Sequence, residues 1–282
     1  MRRYIYFVFL LCCAVNLLLT SCVRQKYVVM DMVHHNPGEA MTESKFLDPS
    51  FLKKNEYGAK VFFLFEAAQF GIDWKSFDPS LFPDTTEAGR WVAEKAEIIH
   101  KKYDAAKKED LQVYCMLDML VLPSLLVEKH RTELTNEQGK LDISKPYTQL
   151  CIRELMKEMF ETFPQLDGLV IRTGETYLHD APYYVGNHPV QNGMYDHITL
   201  INLLREEVCE RRNKKLFYRT WDMGQLHSIP KYYLSVTDSI EPHPNLYFSI
   251  KHTMTDFWRS AITDPDMNYN TCLLYTSPSP RD

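Results

Sequence analysis

Basic charge, glycine and paired cysteine motifs are what this sequence has little of. Its 32 lysines and arginines are outnumbered by 37 aspartates and glutamates, for a net charge of -5. A chain that works on nucleic acid carries the opposite balance, because duplex binding rests on neutralising phosphates, so nucleic acid is excluded as the main partner. Ten glycines leave no low-complexity or collagen-like stretch, and no glycine fingerprint follows the first apolar run, so a dinucleotide-binding sheet lacks its signature. Seven cysteines hold no CxxC pair and no Cys/His cluster, which removes a disulfide scaffold and a zinc site and calls for no cofactor. What is present is a 282-residue chain, 45% hydrophobic and 13% aromatic, able to bury a sizeable core.

Both ends read differently from the middle. Arg2 and Arg3 precede an apolar stretch, Tyr4–Leu19, that is short for the ~20 residues of a membrane span. Leu19-Thr20-Ser21-Cys22 then resembles a bacterial lipobox. That resemblance implies a signal peptide over 1–21, lipid on Cys22, and a cell-envelope location held to a membrane surface, outer membrane or periplasmic face. A single membrane-spanning anchor is the alternative. At the other end, residues 272–282 (CLLYTSPSPRD) resemble the translation of a sequencing adapter, so the native chain is expected to continue past Thr271. Cys115, Cys151 and Cys209 lie in apolar or amphipathic segments and read as buried small hydrophobes.

Between the ends, strand and helix alternate. Lys26–Val33, Lys60–Phe65, Leu111–Leu117, Leu166–Ile171, Lys215–Arg219 and Leu246–Ile250 read as strands, and the continuous apolar run Lys60–Phe65 as one buried on both faces. Helical spacing appears around Pro49–Tyr57, over Thr86–Lys107, Pro146–Phe163 and His197–Arg212, and around Pro230–Ser235. Such alternation predicts a parallel α/β protein. Long polar and aromatic segments after the strands favour a (β/α)8 TIM barrel over a doubly wound sheet, here over residues 22–271 and truncated after about the sixth strand.

Charged and amide groups follow the strands: His34, His35, Asn36 and Glu39, then Glu66 and Gln69, then Asp118, then Arg172 and Glu175, then Arg219 and Asp222, then Lys251, His252 and Asp256. In a barrel these carboxyl ends converge on one face. Glu175 follows a glycine turn beside Tyr177, where desolvation raises a carboxyl pKa as a general acid requires; an Arg172–Glu175 ion pair is the other reading. Asp256 beside Phe257 and Trp258 fits a general base next to a sugar platform, or a helix cap beneath core aromatics. Arg172, Arg219 and Lys251 together suit an anionic group such as a uronate, or balance the nearby carboxylates. Trp221 fits a stacking surface or a packed rim. Adjacent His34 and His35 face opposite ways on a strand, which argues against a metal pair, and His35 with Asn36 suits sugar hydroxyls.

Asp167-Gly168-Leu169-Val170-Ile171-Arg172 with Glu175, Tyr218-Arg219-Thr220-Trp221-Asp222, and Ser249-Ile250-Lys251 with Asp256-Phe257 resemble the α-glucuronidase barrel of glycoside hydrolase family 67. The resemblance implies release of glucuronic acid from xylan-derived oligosaccharides by inversion, with Glu175 as acid and Asp256 as base. Glu66, Asp118, Arg172, Arg219, Trp221, Asp222, Lys251 and Trp258, with His35 and Asn36, would bind the carbohydrate. The family's second carboxylate would lie beyond Thr271. Because a barrel closes only when its edge strands pair, the 282-residue piece, lacking about two barrel units, is expected to be poorly soluble and inactive alone. A glycan-binding surface lipoprotein without catalysis is the alternative function.

Overall fold

A computed structural model describes residues 28–31, 44–63, 66–174, 176, 178, 180–219, 226, 229–249 and 274–275. Helix α1 (Pro49–Lys54) starts at Asp48, whose side chain accepts from the Ser50 N–H, with proline at the first turn. Helix α2 (Glu87–Lys108) is capped by the Thr86 hydroxyl and buries Val92, Ile99, Tyr103 and Ala106 along one stripe. Short helices α3 (Ser124–Lys129) and α4 (Arg131–Leu134) were not apparent in the sequence pattern. Helix α5 (Pro146–Thr162) buries Cys151, Ile152, Leu155, Met156 and Met159, while Leu150 is exposed. Helix α6 (Met194–Leu204) runs on as a π-helical segment, Arg205–Glu210. Helix α7 is Pro230–Thr237.

Strands β1 (Met30–Asp31), β2 (Ala59–Phe62), β3 (Gln112–Asp118), β5 (Gly168–Arg172), β7 (Lys215–Arg219) and β8 (Leu246–Ser249) pair side by side, all parallel. Their order in the sheet follows their order in the chain. That order decides the architecture. A doubly wound sheet reverses direction at a switch point, whereas crossovers of one hand that always add at the same edge stack every helix on one face. Two shorter strands, β4 (Val121–Pro123) and β6 (Tyr184–Gly186), form a separate antiparallel pair that the apolar runs had not revealed. Strand β9 (Leu274–Tyr275) lies antiparallel to β8, inside the segment read from sequence as a non-native tail.

Side chains divide by alternation along the strands. Phe62, Val113, Cys115, Leu117, Leu169, Ile171, Leu216, Tyr218, Leu246 and Phe248 face the helices and merge into the main core. The other face gathers Ala59, Val61, Tyr114, Val170 and Phe217, with Met30, Met116 and Tyr247 packed on them. Tyr114 and Phe217 belong to strands separated by β5, yet their rings meet edge to face with centroids 5.3 Å apart. Two strand spacings span about 9.6 Å in a flat sheet, so the sheet curls around this second cluster. The fold is a curled parallel sheet with helices outside, an α/β arrangement of the TIM kind. Gly168 permits the close approach of β5 to β7, since a Cβ there would stand 2.1 Å from the Lys215 carbonyl oxygen.

Two expectations follow, the first from burial. Cys115, Cys151 and Cys209 are free and buried, and burial pushes each thiol up to about 12. Roughly 10³-fold less thiolate than at an open cysteine should leave all three unmodified by iodoacetamide at pH 8, and all three labelled in urea. Peptide mass spectrometry reads the difference, and fast native labelling at any of them contradicts its packing.

The second concerns the loop after β2. Lys129 on α3 donates to Asp78 Oδ2 at 2.8 Å, and the Ser80 N–H donates to Oδ1 at 2.9 Å. The ammonium, then Ser80, hold Asp78 down at about 2. A depressed carboxylate contributes stability above its ordinary value near 3.8, and loses it as pH falls toward 2. Since Asp78 is 25% exposed, Asp78→Asn should cost about 1 kcal/mol at pH 6, with the gap closing by pH 2. Urea midpoints across pH 2–6 test this; a gap independent of pH removes the ion pair as its source.

Candidate functional site at the strand tips

Register brings the sequence-predicted tip residues into one row. Asp118 on β3 stands beside Arg172 on β5, Arg172 beside Arg219 on β7, and Arg219 beside Ser249 on β8. One layer below, Met116, Val170, Phe217 and Tyr247 are in register in the same way. Both layers share the parity of the inner cluster, so the row lies along the carboxyl edge of the curled face. Parallel pairing without offset is the cause, because β3, β5 and β7 each end on an inward position.

Within the row, Arg172 and Asp118 grip each other twice. Nε donates to Oδ1 at 2.5 Å and Nη2 to Oδ2 at 2.6 Å, a bidentate fork. The side chains are 20% and 10% exposed, respectively. Arg172 is therefore matched by Asp118, a partner the sequence reading had not offered. Arg219 is buried. To one side, Phe63, Gln69 and Phe70 join Met116, Asp118 and Arg172 around a cavity of ≈ 10 Å³.

Loops beyond the tips are clamped together. Val121–Pro123 pairs with Tyr184–Gly186, and the ladder extends through Leu120 and Asn187, which exchange backbone bonds at 2.8 and 3.0 Å. The Met119 N–H also donates to the Arg172 carbonyl at 3.3 Å. Gly186 permits this approach, since a Cβ would stand 2.4 Å from the Leu120 carbonyl oxygen. Backbone bonds thus tie the described parts of the loops that leave Asp118 and Arg172 to each other.

Glu66 sits elsewhere. Its carboxylate pairs with Lys102 on α2, and its backbone carbonyl accepts from the Tyr103 hydroxyl at 2.9 Å. That turns Glu66 toward the helix layer instead of the row. Gln69, noted at the same strand end, lines the cavity shared with Asp118 and Arg172. Strand alternation ends before both, so spacing alone gave no means of choosing between them. Among the described residues no group of three His, Cys, Asp or Glu side chains gathers as metal ligands, and no helix is long and apolar enough to cross a membrane. Cys22, His34, His35, Asn36, Glu39, Glu175, Tyr177, Trp221, Asp222, Lys251, His252, Asp256, Phe257 and Trp258 lie outside the described residues.

No protein-family model matches the chain, and no curated protein matches it. Solved structures do. A GH138 enzyme targeting pectin rhamnogalacturonan II superposes with a TM-score of 0.41 at 14% identity over 80% of this chain and 25% of its own. Dispersin B gives 0.43 at 13% identity over 80% and 64%. A noncanonic maltogenic α-amylase, AmyB from Thermotoga neapolitana, gives 0.39 at 13% identity over 73% and 46%. The chain spans less than two thirds of the length of each.

Proposed function

We propose that this chain is part of a (β/α)8 glycoside hydrolase, truncated after about its sixth strand, acting on a uronic-acid-containing polysaccharide or oligosaccharide. The observation that carries the reading is the row Asp118, Arg172, Arg219 and Ser249, in register along the carboxyl tips of a curled parallel sheet. Active sites of such sheets form at that edge. Glu175 follows Arg172 by three residues and Lys251 follows Ser249 by two, so the proposed acid and a proposed cation continue from the same tips. In this reading Glu175 protonates the leaving oxygen and Asp256 activates the attacking water. Arg219 and Lys251 meet the uronate, while Arg172, matched by Asp118, sets the wall. Lipid on Cys22 would hold the enzyme at the cell envelope.

One observation favours binding without catalysis: the row's described carboxylate, Asp118, is already gripped by Arg172. Incubating the uninterrupted protein, continuing past Thr271, with glucuronoxylan oligosaccharides separates the two. New reducing ends with release of uronic acid are the expected result. Binding without release establishes the glycan-binding alternative, and neither binding nor release ends both.

A further inference from the structure

Gln69 carries a buried polar atom without a partner beside the strand tips. It lies on the 3-10 turn Ala68–Gly71, just after β2, and is 3% exposed. The turn is held from two sides: the Ala68 N–H donates to Cys115 Sγ at 3.1 Å, and the Tyr184 hydroxyl donates to the Gln69 carbonyl at 3.3 Å. Its side-chain oxygen, Oε1, is buried without a hydrogen-bond partner. Leaving an amide oxygen so placed costs the fold its desolvation, and native structures keep few such groups without a use.

The cavity beside it defines what it takes. A volume of ≈ 10 Å³ admits one water-sized group. Oε1 only accepts, so the occupant donates. Asp118 and Arg172 already neutralise each other through their fork, so the slot offers no net charge to attract a carboxylate or an ammonium. A neutral hydroxyl needs no such attraction. Phe63, Phe70 and Met116 supply the apolar part of the lining, which suits the C–H group that bears the hydroxyl.

Building on the glycan reading above, we propose that Gln69 is a specificity-determining residue that accepts one substrate sugar hydroxyl beside the Asp118–Arg172 pair. The slot reads a neutral position of the sugar, and any uronate is met elsewhere along the row.

The test is the pair Gln69→Met and Gln69→Leu in the uninterrupted protein, with calorimetric titration of the parent oligosaccharide and its monodeoxy derivatives. Apolar replacement should raise Tm by about 2–4 °C, because an orphaned oxygen leaves the interior. Affinity for the parent should fall about 10-fold, the worth of one hydroxyl–amide bond. One deoxy derivative should bind wild type as weakly as the parent binds the variants, and lose nothing further in them. A fall in Tm for both variants would mean that the fold itself satisfies the amide, which overturns the proposal. Equal losses for the parent and every deoxy sugar overturn it too. If wild type binds no oligosaccharide, the glycan reading fails, and glycerol-soaked crystals then decide the slot. A hydroxyl within 3.2 Å of Oε1 (a normal hydrogen-bond distance) upholds acceptance at Gln69, and an amide turned to a protein donor ends it.

Discussion

Replacing Glu175 by glutamine should lower turnover of a natural oligosaccharide by about 10³-fold, within the range that one general acid contributes. A sugar alkoxide is a poor leaving group and needs its proton as the glycosidic bond breaks. An aryl glycoside departs as a stabilised phenolate and hardly needs it. The same Glu175→Gln enzyme should therefore keep most of its activity on a nitrophenyl glycoside, and its kcat/KM profile should lose the basic limb that reports deprotonation of the acid. Substrate affinity should change little, because the amide preserves size. Stopped assays on both substrates across pH 4–9 read all three effects. Equal losses on the two substrates would reassign Glu175 to binding, and unchanged activity would remove it from the site.

Arg172→Leu should be the most damaging single change among the described residues of the row. Leucine leaves the Asp118 carboxylate, 10% exposed, without its fork. Hydrogen bonds to charged groups are worth roughly 1.5–3 kcal/mol, and breaking a fully buried pair costs more. At a partly open rim the expected loss is about 2 kcal/mol, or roughly 4–8 °C in Tm for a chain of this size. The double variant Asp118→Asn/Arg172→Leu removes the stranded charge and should recover about half. That non-additivity is the signature of direct coupling. A single variant within 0.5 kcal/mol of wild type, or strictly additive losses, would show that the pair contributes little. Glycan release should fall in both variants, since the fork aligns β3 with β5 where their loops depart.

The strands show how far sequence reasoning reached. Short β-rich segments between helical stretches identified all six parallel strands, most plainly Lys60–Phe65, since a strand covered on both faces has no polar side to show. Helix spacing placed α2 to within a residue at either end, since its period and the Thr86 cap are both local. The buried cysteines followed from their apolar neighbours. Lack of a glycine fingerprint pointed away from a doubly wound sheet, and the unreversed strand order agrees.

Other features were out of reach for a physical reason. Strands β4 and β6 are three residues each, too short for alternation to register, and they exist only because two loops leave neighbouring strand tips. Arg172 and Asp118 are 54 residues apart, so their fork depends on β3 lying beside β5 in a given register. Glu66 and Gln69 looked equivalent after β2 until a helix lysine drew one away and the curl set the other beside Asp118. Local periodicity is written in the covalent order and survives in any chain long enough to show it. Partnership between side chains is decided by strand order, register and curvature, which come into being only when distant segments pack.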